Sequence, residues 1–305
     1  MKANSEKGFS LLEMLISLII LLIASGAAFY ALTYYQRSYG SSQLRADMHM
    51  GVRAALELMA QEVNQAGLLP FGPPRQLSAA VSACPSPCSS PPPVQISSVN
   101  SIFVNEMLTI DTGSNQEDVK VTAVNTATSQ ITAVFTKAHP ANAPVNAFGL
   151  FRQGISTTSP NQSNGTLLKI VGDINGDNTL TYVEYDCSGS TLTRSEWQIP
   201  SSGVRTSVTT GTGILVKDVI PNPGTPPTPC FQYATASAGG FTFVTSVTVT
   251  LSVQSADKDP FTKQRVVMKQ SSLNLSPRNL LTALNLAQAG FTGRLQPIPT
   301  VTPAL

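Results

Sequence analysis

The sequence predicts an α+β protein. One long N-terminal helix, transmembrane in its first part and amphipathic in its second, packs on a mainly antiparallel β-sheet head. Three observations carry this. From Met14 to Leu32 no residue is charged. Behind that run Leu44, Met48, Val52, Leu56, Met59 and Val63 recur at three- and four-residue steps, the stripe of an amphipathic helix. From about residue 101 to 276 short β-rich runs alternate with Gly, Asn, Ser and Pro, the pattern of strands and turns.

The uncharged run comes first. Wound as a helix it is roughly 28 Å long at about 1.5 Å per residue, close to the ~30 Å hydrocarbon layer of a bilayer. A short polar head with Lys2, Glu6 and Lys7 precedes it. Glu13 is the odd residue. A carboxylate at the edge of a membrane segment is costly and wants a partner. No Lys or Arg lies near it on the apolar side. A cut after Gly8 would make Phe9 the first residue, with a free α-amine four positions before Glu13. That is one helical turn, so amine and carboxylate share a level, within one chain or between neighbouring copies.

Gly8-Phe9-Ser10-Leu11-Leu12-Glu13 resembles the cleavage and methylation motif of type IV prepilins, which makes the expected fold pilin-like. The resemblance implies that a membrane prepilin peptidase cuts after Gly8 and methylates the amine of Phe9. It also implies that Glu13 docks the subunit into a filament. An ordinary signal peptide is the competing reading. Ala24-Ser25-Gly26-Ala27-Ala28 supplies small residues after an apolar core. That reading leaves Glu13 unexplained.

The rest of the chain divides as follows. Residues 1–8 are the leader, 9–35 the transmembrane and filament-core helix, and 36–67 its amphipathic continuation. Arg45, Asp47, Arg53, Glu57, Gln61 and Glu62 fall on other faces than the apolar stripe. Gly67 supplies a C-cap and Pro70 a stop. A continuous helix over 9–67 would be roughly 85–90 Å long, with Gly26 and Gly40 as possible bends. Tyr30, Tyr34, Tyr35 and Tyr39 suit the membrane–water border. Residues 68–100 form a Pro-rich connector in which regular helix or central strand is disfavoured. Residues 101–279 form the head. Its expected strands are 101–110, 118–124, 130–136, 147–152, 166–172, 179–185, 191–198, 213–220, 241–254 and 262–275. Residues 280–305 read as a tail with a short amphipathic piece at 280–289.

Three further stretches are similar to PilW-type minor pilins. They are Ala54–Gly67 with its closing Ala-Gly, the hairpin Leu180–Tyr185 with Ser190–Arg194, and the late strand pair ending near Pro277-Arg278-Asn279. This implies a structural and assembly protein of the pilus tip or initiation complex. Its partners would be other minor and major pilins, prepilin peptidase, the inner-membrane assembly platform and, before assembly, membrane lipid. It would sit once through the bacterial inner membrane, head in the periplasm, and then move to the pilus surface. A type II secretion pseudopilin shares the same N-terminus. A tip adhesin or DNA-uptake module is an alternative of another class.

Composition agrees with an exported protein. Charged residues are 12% of the chain and the net charge is +2. Nothing suggests an electrostatic grip on DNA or anionic lipid. Four cysteines fit two disulfides, Cys84–Cys88 and Cys187–Cys230 being the favoured pairing of three. A metal site on Cys84 and Cys88 is the rival, without a second ligand pair. No nucleophile elbow, P-loop or paired zinc motif is present, so the chain reads as no enzyme. His49 and His139 read as surface residues.

One loop reads as a candidate calcium site. Counted from Asp173, oxygen ligands fall on Asp173, Asn175, Asp177, the Thr179 carbonyl, Thr181 and Glu184. Oxygens on alternate residues ending in Glu can wrap a hard cation. The pattern resembles an EF-hand loop, and more closely its dockerin version, but has Asn178 where Gly is usual. A polar hairpin loop, with no Ca²⁺, is the plain alternative.

Overall fold

The computed structural model describes residues 10–70, 72, 74–84, 87–155, 157, 162–199, 206–207, 213–271 and 275–299. Among them are a 55-residue helix, α1 (Leu11–Gln65), mainly antiparallel sheets and a short helix, α2 (Arg278–Gln288). This is the α+β architecture expected. The chain divides into two compact units. One holds α1 up to Met50 together with Gln254–Val267. The other holds Gly51–Val253 and the chain from Met268 onward.

In the first unit α1 runs unbroken through Gly26 and Gly40, and no proline interrupts it. Its apolar run is exposed throughout, long and apolar enough to cross a bilayer. In the second unit the helix changes character. Val52, Ala55, Leu56, Met59 and Val63 are buried at three- and four-residue spacing. The helix ends at Gly67, which takes the left-handed φ of +81° while the Leu68 amide donates to the Gln65 carbonyl at 3.0 Å. A side chain at Gly67 would be strained in backbone and would also meet Leu280 Cδ2 at 2.9 Å.

The first sheet of the second unit is a small closed barrel. Its order is Arg75–Gln76, Pro144–Ala147, Met107–Ile110, Glu117–Asn125, Gln130–Ala133 and Pro93–Gln95, all antiparallel. The two edges meet. Leu77 bridges Ile96, the Ser78 amide donates to Gln95 and the Ser97 amide to Gln76, both at 2.9 Å. Closure leaves no free edge for aggregation. Leu77, Ile96, Leu108, Ile110, Val121, Ile131 and Val145 fill its interior.

The second sheet runs Thr206–Ser207, Leu192–Gln198, Thr181–Asp186, Leu167–Gly172, with Gly213–Val216 also on Leu192–Gln198. A third is centred on Phe241–Lys258, flanked by Val219–Ile220, Phe231–Ala238 and Arg265–Ser271. α2 packs Ala283, Leu284 and Ala287 with Phe243 and Leu295. The disulfides are Cys84–Cys88 and Cys187–Cys230.

Three expectations need correction. The 68–100 stretch is more than a connector, because Arg75–Gln76 and Pro93–Gln95 supply both closing strands of the barrel. Pro93 is tolerated there as the first residue of a strand. The 280–305 stretch is not a tail as far as residue 299: Leu280, Ala283 and Gln296 are fully buried. Residues 101–106 turn instead of extending, since Ser101 and Asn105 take left-handed φ of 61° and 76°.

Candidate functional site

The cleavage pair Gly8 and Phe9 lies outside the described residues; the site begins at Ser10. The Ser10 carbonyl accepts the Met14 amide at 3.2 Å, so Ser10 is the N-cap of α1. Three residues on, a Glu13 carboxylate oxygen accepts the Ser10 amide at 3.3 Å. Reach-back by the third helical residue is the Glu half of a capping box. It also sets the negative charge at the positive end of the helix dipole. The signal was in the sequence as Ser-x-x-Glu before an apolar run. Glu13 is exposed, and so are Leu11, Leu12 and Met14 around it. The result is a carboxylate held on an apolar surface one turn from the start of the helix. It is poised for a cation at the same level.

The second polar centre lies where α1 joins the second sheet, and sequence reasoning missed it. The sequence pattern places Glu62 on another face than the apolar stripe. It is only 5% exposed, because it sits three residues beyond Met59 on the buried stripe. One of its oxygens accepts Arg194 Nε at 2.9 Å and Nη2 at 2.6 Å. The other accepts the Tyr185 hydroxyl at 2.5 Å. Arg194 Nη1 also meets Glu196 at 2.9 Å. Burial, and then the charge of Glu62, push the Tyr185 hydroxyl above its ordinary range. Burial alone would lower the Arg194 pKa, but the Glu62 carboxylate outweighs it and raises it. The arrangement is a lock, since every polar group of the cluster is used.

His139 is likewise not a surface residue. Its ring is buried between Asp111 (3.2 Å from Nδ1) and Glu117 (2.6 Å from Nε2). The Thr112 amide first, then His139, hold Asp111 below the usual carboxylate range. Burial pushes Glu117 up, but Thr136, His139 and the Thr136 and Lys137 amides bring it below that range. This cluster ties the 111–117 turn to the strand exit at 135–139. His49 is exposed on α1.

The candidate calcium residues are all in place but already engaged with one another and with their neighbours. Asp173 is 3% exposed and accepts the Asp177 and Asn178 amides, both at 3.1 Å. Burial raises its pKa, and the Asn178 amide opposes this. Asn175 donates to Glu196 at 2.8 Å, and Asp177 accepts the Thr179 amide at 2.8 Å. The Thr179 carbonyl accepts the Thr181 hydroxyl at 3.3 Å. Glu184 accepts the Tyr182 hydroxyl at 2.7 Å and lies 3.7 Å from Lys169. Asn178 does take the left-handed φ, 62°. Among the described residues no three of His, Cys, Asp or Glu converge to hold a metal ion. Calcium at about 1 mM is therefore expected to move the melting temperature of the full chain by no more than about 2 °C, the size of a millimolar Kd. A rise of roughly 5–10 °C in a calorimetric scan, the size of a ~10 μM site, would contradict this.

Comparison with known proteins bears on the N-terminus. Residues 3–29 match the family described as the prokaryotic N-terminal methylation motif. No curated protein matches the chain, and no solved structure does. The matched segment contains Gly8, Phe9, Ser10, Glu13 and most of the apolar run. With the exposed helix it fits a membrane-anchored, pilus-associated protein. The match supports a type IV pilin-like or pseudopilin precursor.

Proposed function

We propose that the protein is a minor pilin of the PilW type, a structural and assembly component of a type IV pilus initiation or tip complex. The observation that carries the reading is the methylation motif ending in Glu13 at the first turn of an exposed apolar helix. The leader is removed after Gly8 by prepilin peptidase, and Phe9 is methylated. The helix then holds the subunit in the inner membrane, head in the periplasm, until it moves into the filament. In that step the Glu13 carboxylate exchanges its Ser10 amide for the cationic amine of a Phe9. Both charges then leave lipid as a pair, which offsets the cost of burying either alone.

Mass spectrometry of the mature chain tests the first step. The expected product begins at Phe9 and carries one N-methyl group. A mature chain that keeps residues 1–8, or begins beyond Ala24, would overturn the reading. Sheared pili separate the pilus role from that of a secretion pseudopilin: the protein is expected among their minor subunits.

A further inference from the structure

The first unit contains a feature unrelated to the methylation motif. Strand residues Gln254–Lys258 and Arg265–Val267 form a hairpin whose tip folds against α1. Asp259 builds the tip. One carboxylate oxygen accepts the Phe261 amide at 2.8 Å and the Thr262 amide at 3.0 Å. The other accepts the Ser41 hydroxyl at 2.5 Å. Gly40 leaves room for Pro260, whose Cγ would lie 3.4 Å from a Cβ there. Phe261 meets Tyr34 edge to face at 5.6 Å between ring centres. The Ser41 hydroxyl, then the Thr262 and Phe261 amides, hold Asp259 down to about 2, so this clasp persists throughout the neutral range.

The height of the clasp on the helix is the informative quantity. Tyr34 is two residues beyond Leu32, about 3 Å along the axis, and Ser41 is about 14 Å beyond it. The headgroup layer is roughly 5–8 Å thick on each side of the hydrocarbon. A span over Met14–Leu32 therefore puts Phe261 within the headgroup layer and Asp259 in the water above it. The exposed groups have the matching chemistry. Phe261 keeps 45% of its surface open, beside the exposed rings of Tyr30, Tyr34, Tyr35 and Tyr39. Arg37 on the helix and Lys258 and Lys263 on the hairpin are exposed, and Asp257 is the exposed acid of the hairpin stretch 257–265. Aromatic rings with flanking cations are what a phospholipid surface takes up.

We infer that the 257–265 hairpin tip is a second membrane contact, a foot that rests in the phospholipid headgroup layer where α1 leaves the bilayer. It rests on the reading of α1 as a membrane span. Before assembly the foot fixes the height and rotation of the emerging helix, which a single span leaves free. On entry into a filament it must give up the lipid surface.

The test uses the full chain in vesicles of phosphatidylethanolamine and phosphatidylglycerol doped with brominated phosphatidylcholine. Tryptophan is placed at Phe261→Trp and, as a control for the span, at Ile20→Trp; the signal of Trp197 is subtracted from the unsubstituted protein. Phe261→Trp is expected to be quenched at least about twofold more by bromine near the glycerol backbone than by bromine at the chain end. Aqueous iodide is expected to reach it poorly. Adding Asp259→Ala, which opens the clasp, is expected to halve the lipid quenching at least. Lipid quenching of Ile20→Trp without any of Phe261→Trp would overturn the foot and leave the span standing. Protection of Phe261→Trp from both lipid bromine and iodide, with cross-linking to a second copy, would assign the tip to a protein neighbour and also overturn it. Loss of lipid quenching at both positions would refute the span and the foot together.

Discussion

Glu62→Ala is expected to destabilise the detergent-solubilised full chain by roughly 3–5 kcal/mol, the cost of removing one partner of a buried ion pair. In a domain of this size that lowers the melting temperature by roughly 6–20 °C. The reason is what remains behind. Arg194 would keep only Glu196, and the Tyr185 hydroxyl would lose its acceptor while both stay largely buried. Arg194→Met in the wild-type background is expected to cost a similar amount, because it strands the Glu62 carboxylate instead. The double substitution Glu62→Leu with Arg194→Met should recover part of the loss, since apolar groups replace the ion pair while the buried Tyr185 hydroxyl stays without its Glu62 acceptor. Additive losses in the double variant would show that the pair is not coupled, contrary to the two hydrogen bonds Arg194 donates to one Glu62 oxygen. The lock fastens the last turn of α1 to the second sheet.

The particular residues show what could be read from the chain and what could not. The helix was legible because its stripe is strongly periodic and Gly67 with Pro70 punctuates its end. Glu62 lies on that same stripe but was sorted by polarity, and only a partner 132 residues away explains its burial. The strands 117–125, 130–133, 167–172, 181–186 and 192–198 were visible through β-branched and aromatic runs. Phe231–Ala238 was missed because its sequence, rich in Ala, Ser and Thr, buries only Phe231 and so carries no alternation. The barrel closure was invisible for a different reason. Strands of two and three residues are too short for any periodic signal, and their pairing is non-local. The capping role of Glu13 was legible in Ser10-x-x-Glu13 but was masked by a more distinctive motif. His139 looked like a loop residue because nothing local announces two carboxylates 22 and 28 positions away.

Glu13→Ala is expected to insert in the membrane and be cleaved at wild-type levels, yet to fall at least tenfold in sheared pili. Tenfold corresponds to about 1.4 kcal/mol, a low bound for two charges buried together as a pair. Insertion should not suffer, because removing a charge from the edge of an apolar helix favours lipid. Glu13 has two roles that this substitution removes at once: it accepts the Ser10 amide, and it carries charge. Glu13→Gln separates them. Its side-chain carbonyl can still accept the Ser10 amide, so the helix start is kept while the charge is lost. If docking depends on the pairing of carboxylate and amine, Gln fails as Ala does, and cleaved monomer accumulates in the membrane in both variants. If the capping contact alone matters, Gln restores pili and only Ala is defective. Wild-type incorporation of Glu13→Ala would remove the electrostatic account altogether. Failure of both variants, with correct cleavage at Phe9, is the outcome the geometry favours. The carboxylate sits on an exposed apolar turn, and among the described residues no cation is paired with it.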